Sequence, residues 1–408
     1  MTPIPGGTGS FTSLGSASID HGRVVFVGSG AGGQTGIYEY YNGQLTMRVN
    51  QSTPIPGGTG GFTKFDIPSL DGADIAFQAE GASKQGGVYM QYDGKLAKIA
   101  DTNTQIPGTT SNFSFITSLS SLDVGDVTIN NRTVQFRTAN GVFLGSPAAL
   151  EAIAATIPPG STPIPDQPYS FNSFAFDFSP DYANGQVLFA GRYVDFLGDF
   201  STDGLYRWTN QLGVQKVLDQ NTILPGQSAP VGHFLVSPTI DDGMSYFSLL
   251  SAEGLSIQQL TLGKASWEGL FRADGGNLQR VISREDLGAA LDATQFVFFF
   301  AFDDGRLVFP GANNAWWNYK DGHVSPIIAS GDFVDGRTVD LHFRIGTGRN
   351  LLSGNQVALT LEFTDGSSGI YIATIPEPST LAMGATALAA LAFLLRRRSR
   401  GHLGRGVA

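Results

Sequence analysis

Three short stretches carry residue types that could do chemistry. Gly28–Gly33 reads GSGAGG, which has the spacing of a dinucleotide-binding glycine loop. Such a loop must open a helix, because the helix N-terminus holds the pyrophosphate. The segment that follows, GIYEYY, has the composition of a strand. The pattern therefore predicts a hairpin loop and no nucleotide site.

Two oxygen-rich loops recur at one place in the sequence pattern. Residues 101–104 read DTNT and residues 219–222 read DQNT. Calcium takes six to eight oxygen ligands, whereas Asp, Asn and Thr side chains also cap turns by bonding to nearby backbone. Because no second acidic residue lies beside either loop, we favour turn capping, with calcium as the alternative and no other cofactor. Asp241-Asp242 and Asp303-Asp304 precede Gly and are interpreted as turn residues in the same way.

The other candidates for catalysis are scattered. The chain has no cysteine, which excludes thiolate metal sites and thiol nucleophiles. Glu285-Asp286 offers one local carboxylate pair, whereas a glycosidase needs two carboxylates on either side of the bond. Trp316-Trp317 stands where other repeats have Ile-Tyr, which favours core packing over a sugar platform. Five histidines lie apart, without metal-ligand spacing: His21, His233, His323, His342 and His402. We therefore predict no metal site, and the catalytic residues, if any, are unknown.

These candidates lie in a chain built from repeats. The motif TPIPGGTG at residues 2–9 recurs at 53–60, and Ile-Pro or Leu-Pro pairs follow at 106, 164 and 224. We call each of these turn-rich motifs a phrase. Between these pairs an apolar run such as GRVVFVG recurs seven times, and each run is followed by a strand that opens with Gly and an aromatic, as in Gly36-Ile37-Tyr38, or with Ala315-Trp316-Trp317 in one case. A turn such as Asn-Gly and a further strand complete the unit. With a Phe-rich strand after each phrase, a unit holds about four strands in roughly 50 residues, the size of a propeller blade.

We therefore predict an all-β fold, a β-propeller of about seven four-stranded repeats over residues 1–374. The repeats are expected near 4–54, 55–105, 106–163, 164–223, 224–284, 285–330 and 331–374. The seventh unit lacks an outer strand, and residue 1 already lies in the inter-blade phrase without a signal-peptide pattern before it. We expect residues upstream of Met1 to supply both, with imperfect ring closure as the alternative.

The C-terminal tail differs from the body in charge. Residues 378–395 are uncharged, and a helix over 380–395 would span roughly 24 Å, which suffices for a membrane with its flanks. A basic cluster follows: Arg396, Arg397, Arg398 and Arg400. This cluster places the segment 401–408 in the cytoplasm and the body outside. Residues 1–375 hold 20 basic and 34 acidic side chains, so we expect no nucleic-acid partner.

The tail carries a family resemblance over residues 375–400. Pro376, Glu377 and Pro378, followed by the apolar segment and the arginine cluster, resemble the PEP-CTERM sorting signal of Gram-negative bacteria. The resemblance implies that these three residues are recognised by the membrane protease exosortase. It also implies that the protein is anchored in the inner membrane before processing, and then lies at the cell surface or outside the cell. The body is similar to uncharacterised propeller-like repeat proteins that carry such tails.

Two functions are compatible with this organisation. The leading hypothesis is an exported, non-enzymatic binding or structural protein, with extracellular matrix polysaccharide as its partner. The alternative is a secreted propeller enzyme, a hydrolase or lyase with its site in the central channel. An enzyme should have one blade enriched in acids or histidines, and no repeat shows such enrichment.

Overall fold

The chain folds into a ring of seven β-sheets, which confirms the propeller predicted from the repeats. The computed structural model describes residues 2–82, 85–114, 127–156, 161–174, 180–194, 201–232, 234–251, 266–274, 276–291, 300–341 and 351–376. Glu377, Pro378, the arginine cluster and the predicted membrane helix over 380–395 lie outside these residues. Within them, no helix has the length and apolar character needed to cross a bilayer.

The first three blades contain thirteen strands. Blade 1 consists of β1 (Phe11–Asp20), β2 (Arg23–Gly30), β3 (Thr35–Tyr41) and β4 (Gln44–Asn50). Blade 2 consists of β5 (Phe62–Phe65), β6 (Ser69–Asp71), β7 (Asp74–Gly81), β8 (Gly86–Tyr92) and β9 (Lys95–Asp101). Blade 3 consists of β10 (Thr128–Asn130), β11 (Thr133–Thr138), β12 (Gly141–Gly145) and β13 (Leu150–Ala155). In blade 2 both β5 and β6 pair with β7, so they act together as one first strand.

The remaining blades follow the same order. Blade 4 consists of β14 (Asp181–Ala183), β15 (Gln186–Val194), β16 (Ser201–Thr209) and β17 (Gly213–Asp219). Blade 5 consists of β18 (Phe234–Asp241), β19 (Met244–Ser251), β20 (Ser266–Asp274) and β21 (Asn277–Ile282). Blade 6 consists of β22 (Ala301–Asp303), β23 (Arg306–Gly311), β24 (Ala315–Lys320) and β25 (His323–Ala329). A ribbon of β26 (Phe333–Val334) and β27 (Arg337–Thr338) precedes blade 7, whose described strands are β28 (Leu352–Ser353), β29 (Gln356–Glu362) and β30 (Ser368–Thr374).

Helix is scarce in the described residues. One short helix, α1 (Arg284–Leu287), lies between blades 5 and 6, and 3-10 turns cover Ala31–Gly33 and Gly288–Ala290. Ser283 caps α1: its hydroxyl accepts a hydrogen bond from the Asp286 N–H, and the Asp286 carboxylate accepts one from the Ser283 N–H. Glu285-Asp286 therefore belongs to a helix start.

The first strand of each blade is innermost and contacts the first strand of the next. These contacts run in order through β1, β6, β10, β14, β18, β22 and β28, and β28 contacts β1. The ring therefore closes, although blade 7 has three described strands. Thr360 in β29 reinforces this junction, because its hydroxyl donates to the Gly15 carbonyl of blade 1 at 2.9 Å.

The core lies between neighbouring sheets, so the second strand of each blade is buried on both faces. In β2, for example, Val24, Val25 and Phe26 are all at most 5% exposed, as expected for sheets packed on both sides. The Phe that follows each of the first four phrases stands edge-on to an aromatic ring of the third strand. These pairs are Phe11–Tyr38, Phe62–Tyr89, Phe113–Phe143 and Phe171–Tyr206, with ring centroids 4.8–5.0 Å apart.

The third strand opens with glycine because the backbone of the outer strand lies too close to this position for a side chain. A Cβ on Gly87 would lie 2.7 Å from the Ala100 carbonyl oxygen, and one on Gly141 would lie 2.2 Å from that of Ala154. In both blades the outer strand has a register shift at this point, which pushes its backbone toward the third strand. The recurrent glycine therefore marks a bulge in the blade.

The strand order gives the ring two faces. The phrase face carries the inter-blade phrases at 2–10, 53–61, 104–112, 162–170, 222–230 and 332–338. The turn face carries the hairpins that join first and second strands, at 20–23, 71–74, 130–133, 183–186, 241–244, 303–306 and 353–356. Hairpins that join third and fourth strands also lie on the turn face.

Candidate functional site

Five of the six phrases share one backbone conformation, whereas in the sixth Asp335 has a φ of 50° at the position that Pro holds in the others. In the first, Pro3 is exposed, Ile4 is buried, Pro5 is half-buried and Gly6 has φ of 70°. Pro fixes the φ that enters the reversal and Gly supplies the positive φ, as in other tight turns. The positive-φ position is occupied in turn by Gly6, Gly57, Gly108, Asp166, Gly226 and Gly336. These five phrases thus present their first residue to solvent and bury their second, whereas Val334 of the sixth phrase is half-buried.

The buried second residue fixes each phrase to its own blade. Ile55 is 4% exposed, and its Cδ1 lies 2.1 Å from the position a Cβ on Gly81 would take. Ile4 occupies the same place over Gly30 in blade 1. The phrases are therefore anchored loops with a defined outer surface.

The outer surface of the phrases is largely uncharged. The phrases at 2–10, 53–61, 104–112 and 222–230 contain no charged side chain and are rich in Thr, Ser, Gly and Pro. Their exposed first residues include Ile223, which is 56% exposed, and Phe333 of the sixth phrase is 72% exposed. We call this surface the phrase rim. It contrasts with the acidic body, and it repeats around the ring.

A stacked tyrosine pair lies on the phrase face at blade 4. Tyr169 belongs to the fourth phrase and Tyr193 to the end of β15, and their ring centroids are 4.5 Å apart at an interplanar angle of 13°. Tyr169 remains 36% exposed. The pair escapes sequence analysis because its members are 24 residues apart and have no common motif. It supplies a flat aromatic platform beside the phrase rim.

In the oxygen-rich loops at Asp101 and Asp219, the Asp carboxylate accepts hydrogen bonds from other residues of the same loop. Asp101 Oδ1 accepts hydrogen bonds from the Asn103 N–H at 3.0 Å, the Thr104 hydroxyl at 2.8 Å and Lys98 Nζ at 3.2 Å. Burial opposes ionisation of Asp101, but the Thr104 and Lys98 hydrogen bonds outweigh it and hold its pKa below the usual value. Asp219 bonds to its own loop in the same way. Within the described residues, no three acidic or histidine side chains form a group suited to a metal ion.

The turn face carries a belt of hydrogen bonds between blades. The last residue of a first strand accepts a hydrogen bond from the backbone N–H of the next blade's hairpin. Asp71 Oδ2 accepts from Asn131 at 2.6 Å, and Asn130 Oδ1 accepts from Asn184 at 3.2 Å. The other acceptors are Asp20, Asp241, Asp303 and Ser353, bonded to the hairpins of blades 2, 6, 7 and 1. The bond from His21 N–H to Ser353 joins blade 1 to blade 7, so the belt also spans the point of closure.

One junction uses a different bond. Blade 4 has Ala183 at the belt position, and its methyl side chain cannot accept a hydrogen bond. Two residues earlier, Asp181 Oδ2 accepts from the Ile240 N–H at 2.7 Å and from the Thr239 hydroxyl at 3.1 Å. Gln186 Nε2 also donates to the Gly243 carbonyl at 2.9 Å. All seven junctions are therefore linked by polar side chains of the inner part of the ring.

The belt concentrates carboxylates, and this changes their acidity. Burial and the neighbouring Asp303 carboxylate raise the pKa of Asp241 to about 6, although its hydrogen bonds from Asp304 and Gly305 act in the opposite direction. Burial likewise raises the pKa of Asp71, with Asp20 and Asp74 adding to the effect. The belt thus contains acids that ionise at a cost to the folded ring.

The remaining sequence candidates lie apart. Residues 28–33 form the end of β2 and a 3-10 turn before β3, which is a hairpin loop as predicted. Trp316 is buried, and the half-buried Trp317 donates its Nε1–H to the Ala312 carbonyl at 3.0 Å. His21 is on the turn face, and His323 begins β25. His233, His342 and His402 lie outside the described residues.

Fold and tail together define an exported propeller protein that is sorted by exosortase. Residues 374–398 match the PEP-CTERM protein-sorting motif, so the tail anchors the protein in the membrane before processing, after which it lies at the cell surface or outside the cell. Residues 19–348 match the model of DUF7453, a family of unknown function, and the chain belongs to that family.

The solved structures similar to this chain have low sequence identity to it. The β-propeller domain of the Trilobed protease from Pyrococcus furiosus, described as having an open velcro topology, has a TM-score of 0.51 and 13% identity over 89% of this chain and 95% of that chain. A puromycin-hydrolyzing peptidase from Mycobacterium tuberculosis has a TM-score of 0.48 and 10% identity, with 92% of this chain and 54% of that chain covered. The likeness to the Trilobed protease domain concerns the fold alone. No curated protein matches the sequence.

Proposed function

We propose that the protein is a non-enzymatic binding protein that holds neutral extracellular polysaccharide on its phrase face. The observation that carries the proposal is the phrase rim, a largely uncharged surface repeated around the ring with the Tyr169 platform beside it. A repeated surface suits a repeated ligand, because several weak contacts with one polymer add to a high overall affinity.

The composition of the phrase face favours a polymer of hydroxyl groups. Thr, Ser, Gln and exposed backbone amides supply donors and acceptors for sugar hydroxyls. The negative face of the Tyr169 ring attracts the polarised C–H groups on the apolar face of a sugar. The body has a net charge of −14 over residues 1–375, which repels anionic polymers and favours neutral ones.

The inner strands support a scaffold role. Their polar side chains bond to the backbone of neighbouring blades, as Asp181 does with Ile240 and as Ser69 does with the Ile129 N–H at 3.3 Å. These groups hold the ring together around its axis and leave the phrase face as the surface for contact.

The test is a glycan array probed with the purified protein, followed by two matched pairs of variants. Tyr169→Ala and Ile223→Glu alter the phrase face, whereas Tyr40→Ala and Leu212→Glu alter residues of similar exposure near or on the turn face. We expect the phrase-face variants to lose at least tenfold in affinity for the neutral glycan that binds best, and the turn-face variants to match the wild type. Equal effects on both faces, or no neutral glycan bound, would contradict the proposal. New reducing ends on incubation with that glycan would contradict the non-enzymatic part.

A further inference from the structure

The chain leaves the folded ring on the turn face. β30 runs from the phrase face to the turn face and ends at Thr374. The next residue, Ile375, is 5% exposed and packs with Val357 and Leu352 of blade 7. Its N–H donates to the Asn355 carbonyl at 2.7 Å, in the hairpin that joins β28 to β29. Ile375 is therefore fixed to the turn face, and the tail begins there.

The tail has almost no spacer between this point and its apolar segment. The sorting motif matches from residue 374, so it overlaps the end of the last strand. Four residues, 376–379, separate Ile375 from the apolar segment that begins at Thr380. Fully extended, four residues reach about 14 Å. An eight-residue second strand such as β7, by contrast, is about 26 Å long. Residues 376–379, which we call the tether, are thus shorter than the distance between the two faces of the ring.

From this difference in length we infer that the turn face around blade 7 lies at the membrane surface while the protein is anchored. The phrase face then points away from the membrane, because a tether of this length is too short for the ring to turn over and bring that face to the bilayer. Exosortase meets the Pro376–Pro378 motif directly beside the folded ring. This orientation follows from the sorting tail and the exit point alone, so it stands or fails separately from the polysaccharide proposal.

The charge of the turn face indicates what happens on processing. The blades on either side of the exit present Asp20, Asp303 and Asp304 there. The Asp304 side chain, 79% exposed, is paired with Lys320 Nζ at 3.0 Å, which leaves Asp20 and Asp303 as the excess negative charge of this group. Anionic lipid headgroups repel such a surface within roughly 10 Å at ordinary ionic strength. Only the tether holds the body at the membrane in this arrangement, so cutting it at the motif releases the body.

The absence of cysteine makes a direct test possible, because one introduced thiol is a unique labelling site. His21→Cys places a fluorophore on the turn face next to blade 7, where the His21 side chain is 89% exposed. Phe333→Cys places it on the phrase that precedes blade 7, on the opposite face. Each full-length variant is reconstituted in phosphatidylcholine vesicles that contain a nitroxide-headgroup lipid, without exosortase.

We expect the headgroup nitroxide to quench the probe at residue 21 at least threefold more than the probe at residue 333. Equal quenching, or stronger quenching at residue 333, would overturn the orientation. A second pair of variants carries a 20-residue Gly-Ser spacer after Ile375, which adds a mean reach of about 25 Å. The difference between the probes should shrink with the spacer. If it persists unchanged, another contact and not the short tether sets the orientation, and the inference is wrong. No glycan enters this measurement.

Discussion

Replacement of Asp241 by Asn should stabilise the ring at neutral pH and leave its stability unchanged at pH 4. The Asp241 carboxylate accepts belt hydrogen bonds from the N–H groups of Asp304 and Gly305, and it is partly buried near the Asp303 carboxylate. Burial first, and then Asp303, raise its pKa from 3.8 to about 6. An Asn side chain cannot ionise, and Asn130 shows that Asn fits the belt position, since it accepts the same kind of bond from Asn184.

The expected magnitude follows from the difference in pKa between the folded and unfolded chain. A difference of this size corresponds to roughly 3 kcal/mol for a fully buried group. Asp241 is only partly buried, so solvent screening reduces the effect to about 1–2 kcal/mol. Because its pKa is higher in the folded state, the folded ring binds this proton more tightly than the unfolded chain does. The free energy of unfolding therefore decreases as pH rises from about 4 to about 6, and the loss is complete at pH 7.

Urea unfolding followed by tryptophan fluorescence between pH 4 and pH 8 measures this effect. We expect Asp241→Asn to gain about 1–2 kcal/mol over the wild type at pH 7 and nothing at pH 4. Asp241→Ala serves as the control, because it removes the acceptor and should be destabilised at pH 4, where repulsion between carboxylates is weakest. The reasoning is refuted if Asp241→Asn is less stable than the wild type at pH 7, or if its gain is the same at both values of pH.

Three further substitutions test the turn, bulge and belt by the same measurement. Asp101→Ala should cost about 3 kcal/mol at pH 7, because it removes a buried acceptor of several hydrogen bonds and leaves Lys98 without this partner. The low pKa of Asp101 means that this cost should shrink as pH falls below about 4, and a constant cost would contradict the assignment. Gly141→Ala should cost at least about 2 kcal/mol, since its Cβ would lie 2.2 Å from the Ala154 carbonyl oxygen. A neutral result would show that the bulge can relax. Ser353→Ala should cost about 1 kcal/mol through the lost bond at the ring closure, and no loss would show that packing alone holds this junction.

Much of the fold could be predicted from the sequence because its signals are local. An apolar run buried on both sides, a glycine at a bulge and an Asn-Gly or Asp-Gly hairpin each depend on residues close together in the chain. Repetition of these signals fixed the number of blades. The sequence predicts that the phrase at residues 2–9 is an inter-blade connection, and its Ile-Pro-Gly core forms a tight turn before β1 in the structure.

The belt could not be predicted in the same way. The sequence predicts turn residues at Asp241 and Asp303, and both end the first strand of their blade before a hairpin. Their hydrogen-bond partners, however, lie in the next blade, more than 50 residues away for Asp303 and Gly354. A single sequence holds one weak signal of this role, the recurrence of Asp or Asn at the end of the first strand. The Tyr169–Tyr193 platform is hidden for a similar reason, since only the packing of a phrase on a strand end brings the rings together.

The attachment of the tail to β30 also determines how the ring bears mechanical load. The strand points toward the face from which the tail leaves, so tension on the tail acts along the length of β30. The hydrogen bonds between β30 and β29 run across that direction and pair seven residues of each strand. A pull therefore strains all of these bonds in shear at once and does not open them one after another. The last described strand of the ring, β30, therefore resists being pulled out of its sheet when force acts on the tail.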